Sequence, residues 1–445
     1  MGSPTGNVVK TSRSLAFTLT VLLIAAFFVA LVLLLPAWVL WVSVLLLALW
    51  LGITRTGWQT WSVTLVGITT IPQRMGSAAV IVVGIAGVVG VMVALFAMGK
   101  GFESTLQQTG RDDTAIILET GARSEANSSL THEGVGMLSQ LPQIRRSELN
   151  EPIASPELLV VASLPKRTGM NANIGIRGIG ERGWELRPRA KLIAGRAFMP
   201  GLRELVAGAG VQGTLAVHEG ATLMVNGQAW TVVGIFDSQD AHNSELWGDT
   251  AVIASAFRRG SAKTSLLVQL NEPAAIDPLN AAIANDPRLK AEAMITRQYF
   301  SRQSEHLTKV AQILGTAVGA IMAIGALFGA LNSMYSAVSG RAREIATMRA
   351  IGFRRLPVVV AVMIETLLLA VPGGVIGGAI AWLLFDGYVG STTSANSSQI
   401  VFAFNVPPEL IVDGLKWAIS IGLIGGLFPA LQAARMQVTA GLREL

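Results

Sequence analysis

The amino-acid sequence predicts an α-helical membrane protein with an inserted α+β domain outside the membrane: a four-span core preceded by an extra amino-terminal transmembrane hairpin. Three observations carry this. Hydrophobic residues fill 51% of 445 positions and charged residues only 14%, against roughly 25% charged in a soluble domain, and mean hydropathy is +0.53. Long apolar runs cluster at the two ends of the chain. Between them lie about 200 residues of short β-branched segments, enough for a core of their own.

Each span follows from a ruler of about 20 apolar residues for about 30 Å of hydrocarbon. Six stretches satisfy it: Leu15 to Leu35, Ala37 to Ile53, Ala78 to Met98, Ala311 to Val338, Val358 to Leu384 and Ile411 to Leu431. The first two are separated only by Pro36 and together are too long for one crossing, so they read as a hairpin. Trp38 and Trp41 then sit at its turn and Trp50, Trp58 and Trp61 at its far end, as two interfacial belts require. A cleaved signal peptide is the competing reading, but the apolar stretch is too long and lacks a small-residue cleavage site.

Short-loop arginines and lysines stay cytoplasmic. Lys10, Arg13, Arg55, Arg74, Arg341, Arg343, Arg349, Arg354, Arg355, Arg435 and Arg443 share one side of a six-span arrangement. Both termini are expected inside, and the segments 99–309 and 386–409 outside. The net charge of +6 and pI near 9.9 fit membrane-surface charge; no basic tract with interleaved aromatics points to nucleic acid. There is no cysteine, which excludes disulfides, thiol catalysis and cysteine metal sites.

Glycine divides the spans. Pairs at small-xxx-small spacing, Gly315/Gly319, Gly325/Gly329, Gly373/Gly377, Gly374/Gly378 and Gly422/Gly426, mark the last three, and Gly84, Gly87 and Gly90 lie in the third. Such residues let helix backbones approach closely in lipid. Leu15 to Leu51 holds no glycine and reads as peripheral and lipid-facing.

In the outer segment, "TAIILE", "ELLVVAS", "TLMV", "WTVVGIF", "TAVIA" and "SLLVQL" read as strands, and Asn226-Gly227 as a two-residue hairpin turn. "PLNAAIANDP" reads as a short helix. "GRAF" and "GIRGIGERG" read as glycine turns. From Arg297 a polar stretch runs without proline or glycine toward the fourth span, which predicts one continuous helix.

No catalytic or metal constellation is expected. His132, His218, His242 and His306 lack ligand spacing, and neither GxSxG nor GxxxxGK[ST] occurs. The chain therefore holds no cofactor site of its own and cannot cradle a nucleotide in a P-loop.

One motif remains. "GRAREIATMRAIGFRR", directly after the fourth span, resembles the R-x-R-E-I-x-x-L-R-A-x-G signature of FtsX-like permeases, the membrane subunits of MacB/LolC-type (type VII, mechanotransmission) ABC transporters, with Met348 in the usual Leu place. "KLIAGRAFMPGLRELVAGAGVQGTLAVHEGATLMVNGQAWTVVGIF" is similar to the periplasmic-core pattern of that family, and "FPALQAARMQVTAGLREL" to its carboxyl-terminal ending. The resemblance covers about Ser62 to Leu445, and the hairpin before it departs from the four-span pattern.

The resemblance implies a multi-pass permease of the bacterial inner membrane, pairing with a second copy or a paralogue and with a separate ABC ATPase that brings ATP and Mg. A periplasmic adaptor or outer-membrane channel is a further implied partner. The domains read as a hairpin 1–56, an elbow helix and core span 57–98, a periplasmic core 99–296, a stalk and span 297–340, a coupling helix 341–356, a span 357–385, a loop 386–410 and a last span with tail 411–445. Export of a peptide, lipid, lipoprotein or drug-like molecule is the expected activity; the alternative is regulation of a cell-wall hydrolase by the same stroke. The implied ATPase seat comprises Arg341, Arg343, Glu344, Ile345, Met348, Arg349, Gly352, Arg354 and Arg355, with Arg341 and Glu344 an i,i+3 pair, Ile345 and Met348 apolar knobs, and Gly352 a helix end. Glu365 lies at depth in its span, where a carboxylate is costly unless neutralised or paired; Asn332 lies at a matching depth, and the expectation is that the two hydrogen-bond or that Glu365 is protonated.

Overall fold

A computed structural model describes residues 32–33, 36–166 and 169–436. The expected span Leu15 to Leu35 falls almost wholly outside them, as does the tail beyond Met436.

The chain divides into two compact units. One takes residues up to Ala97 with Ala311–Asp386 and those from Val406; the other takes Met98–Val310 and Gly387–Asn405. In the first, α1 (Ala37–Ile53) ends at Thr54, whose Oγ1 accepts from the Gly57 amide at 2.9 Å and so caps α2 (Arg55–Thr70). Gly57 lies against the Trp50 carbonyl, where a Cβ would not fit. A 3-10 turn over Ile71–Arg74 with Pro72 in its first turn leads into α3 (Met75–Thr109). α1 leaves Trp41, Val44, Leu45 and Leu46 exposed.

The second unit continues with β1 (Thr114–Glu119), α4 (His132–Ser139), β2 (Ala154–Pro165), β3 (Asn171–Ile179), β4 (Lys191–Gly195), β5 (Glu204–Gly208), α5 (Ala209–Leu215), β6 (Thr222–Val225), β7 (Gln228–Asp237), β8 (Glu245–Asp249), α6 (Thr250–Ala256), β9 (Ser265–Gln269), α7 (Ile276–Asn285) and β10 (Ala291–Ile295). These strands form one sheet ordered β10-β1-β9-β2-β3-β8-β5-β7-β4, with β6 also on β7. β2 is shared: Ala154–Glu157 pairs with β9 and Leu158–Pro165 with β3. It thereby joins two lobes with separate cores, one around Ile117, Val268 and Leu279, the other around Ile174, Trp230, Val232 and Leu246.

Then come α8 (Thr296–Gly340), α9 (Ala342–Ala350), α10 (Arg355–Phe385), β11 (Val389–Thr393), β12 (Gln399–Ala403) and α11 (Pro408–Arg435). α8 is one helix of 45 residues, as the polar run from Arg297 predicts. Among the described residues, four helical stretches are long and apolar enough to cross a membrane: Arg55–Thr109, Thr296–Gly340, Arg355–Phe385 and Pro408–Arg435.

Three expectations are corrected. "TAVIA" is not a strand but α6: the Asp249 carboxylate accepts from the Ala251 and Val252 amides at 2.6 and 3.2 Å, and that cap outweighs β-branched propensity. "GIRGIGERG" is mostly β3, because its glycines permit close approach; a Cβ at Gly178 would lie 2.6 Å from Thr250 Cα. The segment 386–410 is more than a loop. β11 and β12 pair antiparallel and belong to the outer unit, where Phe402 meets Phe102 edge-to-face at 5.4 Å. The chain therefore crosses between the units four times.

Candidate functional site

α8 breaks at Arg341, whose φ of −113° and ψ of 15° are not helical, and α9 follows. α9 ends where the Phe353 amide donates to the Met348 carbonyl at 3.1 Å and Gly352 takes φ 107°, a left-handed ending that glycine permits at least cost. Arg354 is extended just before α10, and Arg355 is the first residue of α10, so the connector helix is shorter than the arginine cluster. Its inner face is Ala342, Ile345 and Ala346. Ile345 is 2% exposed and packs inward, so it is no outward knob; amphipathic periodicity alone does not tell the two faces of a short helix apart. The outward face shows Arg343, Glu344 and Thr347, and exposed Ile351 and Leu356 flank it. Met348 and Arg349 are half-buried, and the Arg349 guanidinium donates to the Met436 carbonyl.

Behind the connector sits a buried ionic cluster. Arg341 reaches Glu344 and Glu365, both at 3.2 Å. Glu365 is also paired with Arg74 from the 3-10 turn. The Glu365 side chain is 4% exposed and about 15 Å along α10 from Arg355, so two guanidiniums at a carboxylate offset its desolvation. Asn332 is exposed and is not its partner: a guanidinium supplies charge as well as hydrogen bonds. Gly67 of α2 completes the arrangement, since a Cβ there would stand 2.9 Å from Glu365 Oε2 and 3.0 Å from Arg341 Nη1.

The helix-packing glycines sort by neighbour. A Cβ at Gly315 would strike Phe96 at 2.6 Å, Gly319 faces Met92 at 3.5 Å, and Gly329 faces Val80 at 3.7 Å. Gly373 and Gly377 lie against the Val82 and Ala86 carbonyls of α3, Gly374 and Gly378 against Ala418 and Ile411 of α11, and Gly422 and Gly426 against Ala370 and Thr366 of α10. Gly325 has no neighbour within 4 Å among the described residues.

The outer unit holds a second buried cluster. Arg177 of β3 binds Glu125 at 2.6 Å, Glu157 of β2 at 2.9 Å and Glu245 of β8 at 2.7 Å. Arg187 also holds Glu157, at 2.6 Å. Burial pushes the Glu157 carboxyl up, but Arg187 and Arg177 more than offset this and hold it down to about 2; Glu245 is held below the usual range by Arg177 against the same burial. The His242 ring accepts from Arg187 Nε at 3.1 Å, leaving Nδ1 to donate to Asp240, also at 3.1 Å. Among the described residues no group of three or more His, Asp or Glu is placed to hold a metal ion.

Sequence reading missed Arg74, Gly67 and Arg177 as members of these clusters. Arg74 registers there only as a topogenic charge, and Arg177 sits inside a glycine-rich run.

The MacB-like periplasmic core domain model matches residues 78–286 and the FtsX-like permease C-terminal model matches residues 316–438. The macrolide export ATP-binding/permease protein MacB of Hahella chejuensis is 25% identical over 289 residues, 59% of this chain and 42% of that one. An uncharacterized ABC transporter permease, YvrN of Bacillus subtilis, is 23% identical over 245 residues, 51% of this chain and 58% of its own. The chain thus spans about half the length of these curated relatives. Among solved structures, the periplasmic region of MacB from Actinobacillus actinomycetemcomitans aligns over 43% of this chain and 92% of its own, at 16% identity and a TM-score of 0.34. With a MacB-like core model over its outer unit, an FtsX-like model from within α8 to beyond α11, and the arginine connector between α8 and α10, this chain belongs to the FtsX-like, MacB-type ABC transporter permeases.

Proposed function

We propose that this permease relays ATP-driven closure of a separate ATPase, which would bring ATP and Mg, to its outer domain, and that the stroke exports a peptide, lipid, lipoprotein or drug-like molecule. The observation that carries the reading is the connector: α9 offers Arg343, Glu344 and Thr347 outward while Arg341 at its start is tied to Glu365 and, through it, to Arg74. A force on α9 is felt at once by α10 and by the turn before α3. α8, about 68 Å long at 1.5 Å per residue, supplies a stalk. Relatives named for export, MacB and the pyoverdine export protein PvdT of Pseudomonas entomophila, support export.

In this reading, six spans place residues 1 and 445 on the cytoplasmic side of a bacterial inner membrane, with the domains divided as the sequence predicts except that Gly387–Asn405 joins the outer unit. The exposed apolar stripe of α8, including Ile313, Ile321, Ile324 and Phe328, faces lipid or a second permease copy or paralogue, and the outer domain is the place for a periplasmic adaptor or outer-membrane channel.

The test is affinity capture of the ATPase followed by ATP turnover in the reconstituted complex. Glu344→Lys places like charges one turn apart, and Gly352→Val opposes the left-handed ending. Both variants should insert normally yet lose the ATPase or uncouple its hydrolysis. Normal capture and turnover in both would leave the connector a topogenic charge cluster.

A further inference from the structure

The joint between the two lobes of the outer unit holds an open cavity of about 860 Å³, within the range of small-molecule sites. It lies where β2 passes from β9 to β3, at the ends of β3 and β8. Trp184 and Phe198 form an apolar wall, both packed on the cluster of Ile179, Phe236 and Trp247.

Its polar groups are unevenly satisfied. Glu151 is paired with Arg182 at 2.6 Å. Asp249 accepts from three backbone amides, those of Gly201, Ala251 and Val252. Glu181 is exposed to water. Thr250 is 8% exposed, and its Oγ1 is shut off from the open space, with no hydrogen-bond partner among the described residues. Lys263 is half-buried with no carboxylate within ion-pair distance among the described residues. Burial pulls the pKa of its ammonium down, and the charge of Asp249, the neighbour of Thr250, only partly opposes this. The cavity therefore has a half-buried cation with no ion-pair partner among the described residues, and an aromatic wall.

We propose that this cavity binds an amphipathic anion, with its acidic head on Lys263 and its apolar body against Trp184 and Phe198. Binding at the joint draws on groups from both lobes and restrains the angle between them. The site stands whether or not the bound molecule is the exported cargo.

The absence of native cysteine makes the test direct. A single cysteine, Ala251→Cys, is placed on the cavity wall of the full chain in nanodiscs, with Ala284→Cys on the exposed face of α7 as control. Labelling by a membrane-impermeant maleimide is followed with dodecanoate, dodecanol or dodecyltrimethylammonium. Dodecanoate alone should slow labelling at position 251 by about tenfold, equivalent to about 1.4 kcal/mol, and leave position 284 unchanged. Lys263→Gln should abolish the protection and Lys263→Arg should keep it. Equal protection by all three amphiphiles, protection that survives Lys263→Gln, or none at all would overturn the proposal.

Discussion

Two arginine–carboxylate clusters are buried in this protein, and they are built differently. In the outer unit Arg177, Glu157 and Glu245 stand on the paired strands β3, β2 and β8, and one guanidinium meets three carboxylates, which also accept from Ser265, from Ser155 and Arg187, and from Trp247. In the helical unit, Glu365 sits on a helix but its two arginines come from connectors: the turn before α3 and the junction of α8 with α9. The first cluster joins the strands of a sheet; the second ties two connectors to a span. Partners on a continuous ladder have fixed spacing, whereas partners on turns reposition when the turns do.

The largest expected effect separates these roles. Arg177→Leu takes the cation from the buried Glu125 and Glu245 and leaves Glu157 on Arg187 alone, at a cost of about 3–5 kcal/mol, so the outer unit should lose protease resistance in the full-length chain. Glu365→Gln leaves Arg74 and Arg341, whose side chains are 20% and 11% exposed and long enough to reach polar surroundings; the fold should survive while ATP turnover ceases to respond to the permease. Unfolding by the second and tolerance of the first would invert the comparison.

Acid gives the next effect. The Glu157 carboxyl is held at about 2, below its ordinary 4.5, so its contribution is complete above pH 4.5 and disappears as pH falls toward 2; a shift of this size corresponds to about 3 kcal/mol. Protection of the outer unit against an acid-stable protease should fall in that window, and a flat profile between pH 4.5 and 2 would count against the cluster as a lock. The smallest effect belongs to Gly67→Val, which presses on Glu365 Oε2 and Arg341 Nη1 and should cost about 1–3 kcal/mol. Reduced thermal stability of the helical unit together with weakened coupling is expected; an unchanged melting point would mean that α2 gives way.

Local chemistry made much of this legible. Asn226 and Gly227 both take positive φ, 48° and 73°, as a two-residue hairpin demands, and "TAIILE" becomes β1 because five consecutive buried apolar and β-branched residues suit a covered strand. α8 is continuous because nothing in its polar half breaks a helix. The glycine pairs of α10 and α11 meet carbonyls and small side chains because close approach requires them. Other features have no local signal. Phe402 and Ile400 sit in a segment too short to look like a domain, and only contact with Phe102 and Leu106 gives them a core.

Apolar length and arginine placement determine, among the described residues, the four membrane-length helices, a connector between two of them, and an outer α+β insert, because hydrocarbon thickness and backbone hydrogen bonding favour those elements in such a sequence. Tertiary structure decided which charges meet. Arg74 and Glu365 are 291 positions apart, and Arg177 finds Glu125, Glu157 and Glu245 across 52, 20 and 68 positions. The pairing of buried charges depends on which helix or strand the packing brings alongside, and that long-range choice leaves no period in the sequence.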